Sequence, residues 1–188
     1  MNAAAATNCF AFVLSAFVIA GVAQTIWFRS KHSKRLMQPL DFGCRLRGRR
    51  LFGDNKTVRG FVVFVPAVAG MFALNAWLWG ASAPWDRSIS GYAVVGGIAG
   101  LGFMLGELPN SFIKRQLGIS SGQPASGAWR VVFTMVDRID SILGMLIALS
   151  LCVSVPVQIW VAFLVIGPVI HLGFSALMFR VGVKVRAA

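Results

Sequence analysis

The stretch from Thr7 to Arg35, TNCFAFVLSAFVIAGVAQTIWFRSKHSKR, decides what kind of protein this is. No charge interrupts it from Thr7 to Phe28, and Arg29, Lys31, Lys34 and Arg35 follow at once. About 20 apolar residues are what a helix needs to cross hydrocarbon. Met1–Asn8 lacks the basic n-region of a signal peptide, so the pattern predicts a retained helix with its N-terminus outside.

Four further runs read the same way: Gly60–Gly80, Ile89–Leu108, Ile139–Val155 and Val157–Phe179. Before the fourth, Val131–Val136 is already apolar, so that helix could start near Val131 and carry Asp137 into the bundle. The predicted fold is an all-α integral membrane bundle of five transmembrane helices, with the C-terminus cytoplasmic. The composition agrees: of 188 residues 57% are hydrophobic and 13% charged, and the mean hydropathy is +0.74. A soluble domain of this length needs more polar surface, and no room remains for a second one. Residues 1–188 read as a single transmembrane domain with cytoplasmic loops at about 29–59 and 107–138.

Charge placement sets the orientation. Ten Lys and Arg lie in Arg29–Arg59, four in Glu107–Arg138 and three in the C-terminal tail, whereas the Ala81–Ser88 loop has Arg87 alone. By the positive-inside rule the basic side is cytoplasmic, which for a bacterium-like cell means a multi-pass inner-membrane protein. The formal charge of +12 therefore reflects topology, and nucleic acid is not an expected partner. Cys9, Cys44 and Cys152 are scattered and form no metal-ligand spacing. His32 and His171 are isolated; His171, inside the fifth span, reads as a hydrogen-bonded core residue. The third span has Gly96–Gly100 and Gly102–Gly106 at GxxxG spacing, which allows close helix approach within one chain or in a homodimer. Pro168 is expected to kink the fifth span.

Polar chemistry concentrates in the two cytoplasmic loops. Before the second span, Gly53-Asp54-Asn55-Lys56-Thr57-Val58-Arg59-Gly60 offers a flexible turn, side-chain hydrogen bonds from Asn55 and Thr57, and cations at Lys56 and Arg59. With the N-terminus of the following helix, this makes a phosphate cradle, though not a GxxxxGK[ST] P-loop. The other basic residues of this loop, Arg49 and Arg50 among them, read as partners for anionic lipid headgroups. In the second loop, Ser111, Lys114 and Arg115 share one face if that segment is helical. Glu107 lies at the predicted C-terminal end of the third helix, where the macrodipole disfavours an anion; a divalent metal or a nearby arginine would compensate it. Asp137 and Asp140, three apart, face the same way at the mouth of the fourth span. They either bind a metal or cap the helix and pair with Arg130 or Arg138. Hard oxygen ligands beside phosphates suit Mg²⁺.

Pro39-Leu40-Asp41-Phe42-Gly43, Gly53–Gly60, Ser111-Phe112-Ile113-Lys114-Arg115 and Asp137-Arg138-Ile139-Asp140 together resemble the CDP-archaeol synthase family and, more distantly, the CDP-diacylglycerol synthases. The resemblance spans Leu40 to about Leu149. Ser-x-x-Lys-Arg followed by Asp-Arg-x-Asp is its most specific element. It implies a Mg²⁺-dependent cytidylyltransferase that joins CTP to a membrane lipid phosphate and releases pyrophosphate on the cytoplasmic face. Carried over by motif, Asp137, Asp140 and Lys114 would be catalytic. Asp137, Asp140 and Glu107 would hold metal, with Glu107 standing where an aspartate is often found. Asn55, Lys56, Thr57, Arg59, Ser111, Lys114 and Arg115 would hold the CTP phosphates. The segment between Arg115 and Asp137 lacks the Lys-Asp step and His-Gly-Gly run of the diacylglycerol enzymes, which places the chain nearer the archaeol branch. Competing with this reading is a membrane protein that binds anionic lipid or acts in transport without catalysis.

Overall fold

In the computed structural model, residues 3–127, 129–180 and 182 are described. Lys184 and Arg186, which entered the loop-charge count, lie outside the described residues. Five long helices follow in order: α1 Ala3–Arg29, α2 Val58–Trp79, α3 Ile89–Gln116, α4 Trp129–Cys152 and α5 Val157–Arg180. Four of them, α1, α2, α3 and α5, are long and apolar enough to cross a membrane. The exception, α4, carries Arg130, Asp137, Arg138 and Asp140. Large apolar side chains point outward from every helix, including Ile26 (67% exposed), Trp77 (66%), Leu151 (82%) and Val165 (66%). On a water-soluble protein this would be one oversized apolar patch; around a membrane bundle it is the lipid-facing coat.

The interior is aromatic at one end. Phe12 is fully buried and meets Phe72, Trp79, Trp85 and Tyr92, with ring centroids 5.3–5.9 Å apart. Buried polar groups bridge helices where lipid offers no alternative partner. Asn75 of α2 donates to the Phe12 carbonyl and to Ser15, both at 3.0 Å, and Gln24 of α1 donates to the Gly60 carbonyl at 3.3 Å. Ser88 caps α3 by accepting from the Gly91 N–H at 3.1 Å.

The glycines of α3 divide between two neighbours. A methyl group on Gly96 would lie 2.6 Å from Phe72 of α2, and one on Gly100 3.1 Å from Val68. Gly102 and Gly106 face α4 instead, against Gly144, Ala148 and the Asp140 carbonyl. Both GxxxG pairs are thus occupied inside the chain rather than presented to a second copy. α5 runs unbroken through Pro168, and α3 runs through Pro109.

Two boundaries differ from expectation. α3 continues past Leu108 to Gln116 and ends in a Schellman turn: Gly118 takes φ +81°, its N–H reaches the Arg115 carbonyl and the Ile119 N–H reaches that of Lys114, both at 3.0 Å. α4 starts at Trp129, the earlier of the two starts considered, because nothing between Val131 and Ile139 breaks a helix. Among the described residues the second loop therefore shrinks to 117–127. Glu107 consequently sits inside a helix rather than at its C-terminal end, and Asp137 and Asp140 sit about two and three turns inside α4 rather than at its mouth.

The first loop is more ordered than an all-helical reading implies. β1 (Arg45–Leu46) and β2 (Arg49–Arg50) form a small antiparallel hairpin, turned by Arg47 and Gly48, both at positive φ. Asp41 organises the segment. Its carboxylate accepts from the backbone N–H groups of Gly43, Phe52 and Gly53 at 3.0–3.1 Å and from Arg50 at 2.5 and 3.1 Å. Burial alone would push this carboxyl up; the Arg50 guanidinium and three amides outweigh it and hold it well below the usual carboxylate range.

Candidate active site at the α3–α4 crossing

The close glycine crossing of α3 and α4 determines which polar groups meet. On α3, Glu107, Asn110, Ser111, Lys114 and Arg115 follow the crossing point at Gly106; on α4, Asp137, Asp140 and Ser141 precede Gly144. Two linked clusters result. In the first, Lys56, brought in by the loop before α2, pairs with Glu107, whose other oxygen accepts from the Ser141 hydroxyl at 2.8 Å. In the second, the Asn110 amide donates to Asp137 at 2.6 Å and to Asp140 at 2.8 Å, and Lys114 pairs with Asp137. Lys114 also stands 5.5 Å from the Phe133 ring centre.

Lys56 is delivered by backbone. Leu40 N–H donates to the Lys56 carbonyl at 2.8 Å and Val58 N–H to that of Gln38 at 2.9 Å, with Thr57 bridged to Pro39. Thr57 is the N-cap of α2 in extended conformation, but its side chain makes no capping bond. Burial would lower the Lys56 ammonium; Glu107, with Asp140 and Asp137 further off, reverses this and holds it charged above its usual range.

Gly53, at φ +85°, lies against Ser121, whose hydroxyl a Cβ would displace, and touches the Arg115 side chain. The loop thus packs onto the end of α3, and the Asn55 amide rests beside Gly122. Arg115 has buried Nε and Nη1 atoms without hydrogen-bond partners among the described residues, three N–H bonds with no acceptor there. Ser111 is buried one turn before Lys114 and Arg115.

Arg59 is the candidate that the fold directs elsewhere. Its guanidinium stacks 4.4 Å over Phe28 and donates to Ser33 at 3.4 Å, against the C-terminal end of α1. Helical rotation separates it from Lys56. Nor do Asp137 and Asp140 pair with Arg130 or Arg138; Asn110 and Lys114 of α3 donate to them, and Asp140 also accepts from the Ser141 N–H at 2.7 Å. Glu107 is compensated by a lysine, not an arginine. Arg49 and Arg50 are likewise committed within the protein: Arg49 donates to the Gln116 carbonyl at the end of α3, and Arg50 pairs with Asp41 and, at 3.0 Å, with Asp54.

Three contributors carried no assigned role in the sequence reading. Asp41 stood within a quoted segment and Asn110 directly before one, yet nothing local distinguishes a bridging amide or an organising carboxylate. His171 was read as a core residue. It shares the inner face of α5 with Gly167, which packs on Ile142 of α4, and Phe174, which packs on Gly21 of α1, and it lies within electrostatic range of Glu107.

Three carboxylates, three cations and hydrogen-bonding amides gather at one end of an apolar helical bundle, the arrangement of a candidate site in a multi-pass membrane protein. The chain belongs to the CDP-archaeol synthase family: the family model described as CarS-like, CDP-archaeol synthase, matches residues 35–186. A CDP-archaeol synthase of Thermofilum pendens is 31% identical over 92% of this chain and 76% of its own length. One from Pyrococcus furiosus is 34% identical over 76% of this chain and 78% of its own. A solved structure of an intramembrane enzyme for archaeal membrane lipids biosynthesis aligns with a TM-score of 0.60 at 26% identity, covering 86% of this chain and 92% of that one.

Proposed function

We propose that this chain is a single five-span membrane domain, residues 1–188, that transfers CMP from CTP to an archaeol-type lipid phosphate at the cytoplasmic face of the inner membrane. In this arrangement the N-terminus is outside and the C-terminus inside. α4 would be the fifth span, since Asp137 and Asp140 turn toward α3 while Met135 and Leu151 face outward. The single observation that carries the reading is the linked pair of clusters, in which carboxylates of two helices and cations of a loop and a helix converge.

An oxygen of the lipid phosphate attacks the α-phosphorus of CTP, the bond from that phosphorus to the bridging oxygen breaks, and pyrophosphate leaves. A phosphate monoester is already an anion at neutral pH, so no general base is required. The protein's task is positioning and charge neutralisation. Lys56, Lys114 and Arg115, assisted by Asn55, Thr57 and Ser111, would bind the triphosphate and stabilise the departing pyrophosphate. Lys56 and Lys114 pair with Glu107 and Asp137; triphosphate binding would exchange those carboxylates for phosphate.

Asp137 and Asp140 are the carboxylates available to a cation, with or without that exchange. Among the described residues no three His, Cys, Asp or Glu stand together as a ready-made metal cage. The donor set does fit Mg²⁺, which keeps waters and takes one or two carboxylates plus substrate phosphates. Asp137 and Asp140 already converge on one atom, the Asn110 nitrogen, within 2.8 Å. These two would hold the ion, with Glu107 beside them, and the ion would supply charge stabilisation at the reacting phosphates.

The test is direct: incubate purified protein with Mg²⁺, labelled CTP and a panel of lipid phosphates with prenyl-ether or acyl chains. CDP-lipid should form, most rapidly on the prenyl-ether acceptor. No product with any acceptor would leave a non-catalytic lipid-binding protein.

A further inference from the structure

Asn110 occupies the point on which two carboxylates converge. It is 5% exposed, its amide nitrogen donates to both Asp137 and Asp140, and its amide oxygen has no hydrogen-bond partner among the described residues. An orphaned acceptor at that depth calls for an explanation. The nitrogen, carrying two polarised N–H bonds, does what a cation would do there: it keeps two anions from repelling each other. Once a cation takes the carboxylates, those N–H groups face a positive charge and lose their acceptors. The amide nitrogen and oxygen are nearly equal in shape, and the terminal torsion of asparagine is broad and roughly two-fold. A half-turn therefore exchanges them without displacing α3 or α4, and the orphaned oxygen becomes a third hard donor facing the ion.

We infer that Asn110 is an oxygen ligand of the divalent-cation site, with its amide turning over between a nitrogen-in state that bridges Asp137 and Asp140 and an oxygen-in state that completes the ion's shell. This rests on the metal reading given above. The design has a functional logic: the nitrogen-in state gathers the two carboxylates around a single polar atom, each within 2.8 Å of it. Magnesium and manganese both accept amide oxygen beside carboxylate, so Mn²⁺ serves as a probe.

The experiment titrates Mn²⁺ alone, with neither nucleotide nor lipid, into the purified full chain in detergent, following free Mn²⁺ by electron paramagnetic resonance. Wild type, Asn110→Ala and Asn110→Asp are compared, with melting of each recorded in detergent. The expected result is about a tenfold weaker Mn²⁺ affinity for Asn110→Ala, the range seen when metal-site supporting groups are removed. Asn110→Asp keeps an oxygen donor and should bind at least as tightly as wild type, which separates ligation from folding. If Asn110→Ala binds Mn²⁺ as well as wild type, or better, the amide is only a spacer or a competitor and the inference is overturned, while the metal reading stands. If wild type makes CDP-lipid but takes up no Mn²⁺, both the metal assignment and the inference fall. If wild type makes no CDP-lipid yet Asn110→Ala still loses Mn²⁺ affinity, the ligand assignment stands and the cytidylyltransferase reading fails alone.

Discussion

Replacing Gly144 with alanine tests whether the α3–α4 crossing assembles the site. A Cβ at position 144 would stand 2.7 Å from the Gly106 Cα and closer still to the Gly102 carbonyl oxygen, all of it backbone. Carbon atoms sit comfortably at about 3.5–4.0 Å, so the helices must part by about 1 Å. The same displacement would stretch the 2.8 Å bonds from Asn110 to Asp140 and from Ser141 to Glu107 to roughly 3.8 Å, beyond hydrogen-bond range. Overpacking of this kind costs about 1–3 kcal/mol, and a misplacement of about 1 Å at a reacting centre costs about a hundredfold in rate. Two assays read these out: initial rate of CDP-lipid formation and melting in detergent. Gly97→Ala is the control, since its Cβ would meet only Ala69 at 3.7 Å, an ordinary contact. Gly97→Ala should match wild type, while Gly144→Ala should lose about two orders of magnitude in rate with a modestly lower Tm. Full activity in Gly144→Ala would refute the claim that this crossing sets the site geometry.

Asp137→Asn should reduce CDP-lipid formation by at least about a hundredfold while leaving detergent melting nearly unchanged, because the Asp137 side chain is 45% exposed; retained turnover would remove it from the site. Lys56→Gln should raise the KM for CTP by about tenfold to a hundredfold through loss of a charge-assisted contact, read from initial rates across CTP concentrations. Asp41 titrates below its unfolded value, so its contribution to stability is complete above about pH 4 and disappears only as pH falls through the lower folded value. Wild-type melting should therefore show no loss from this group between about pH 7 and pH 5, whereas Asp41→Asn should be less stable by about 2 kcal/mol at every pH in that window. Denaturation monitored by tryptophan fluorescence checks both halves.

Several features of this protein were open to reading from the chain alone. The uncharged run from Thr7 to Phe28 and the apolar runs of α2 and α5 gave helices whose observed ends fall close by, because length and hydropathy are properties of a segment in isolation, whereas the polar end of α3 and start of α4 extended beyond their apolar runs. The three-residue spacing of Asp137 and Asp140 put them on one face for the same local reason, and both converge on Asn110. The motifs around Lys56, Lys114 and Asp137 were enough to indicate the family. What required the tertiary structure was partnership. Glu107 could not be matched to Lys56, 51 residues away, nor Asp137 to Lys114 and Asn110, since those pairings depend on the rotation and offset of packed helices. The division of one glycine-rich face, Gly96 and Gly100 toward α2 and Gly102 and Gly106 toward α4, is set the same way. So is the departure of Arg59 toward Phe28. Periodicity tells which residues share a helix face; only the packing of backbone against backbone decides what that face meets.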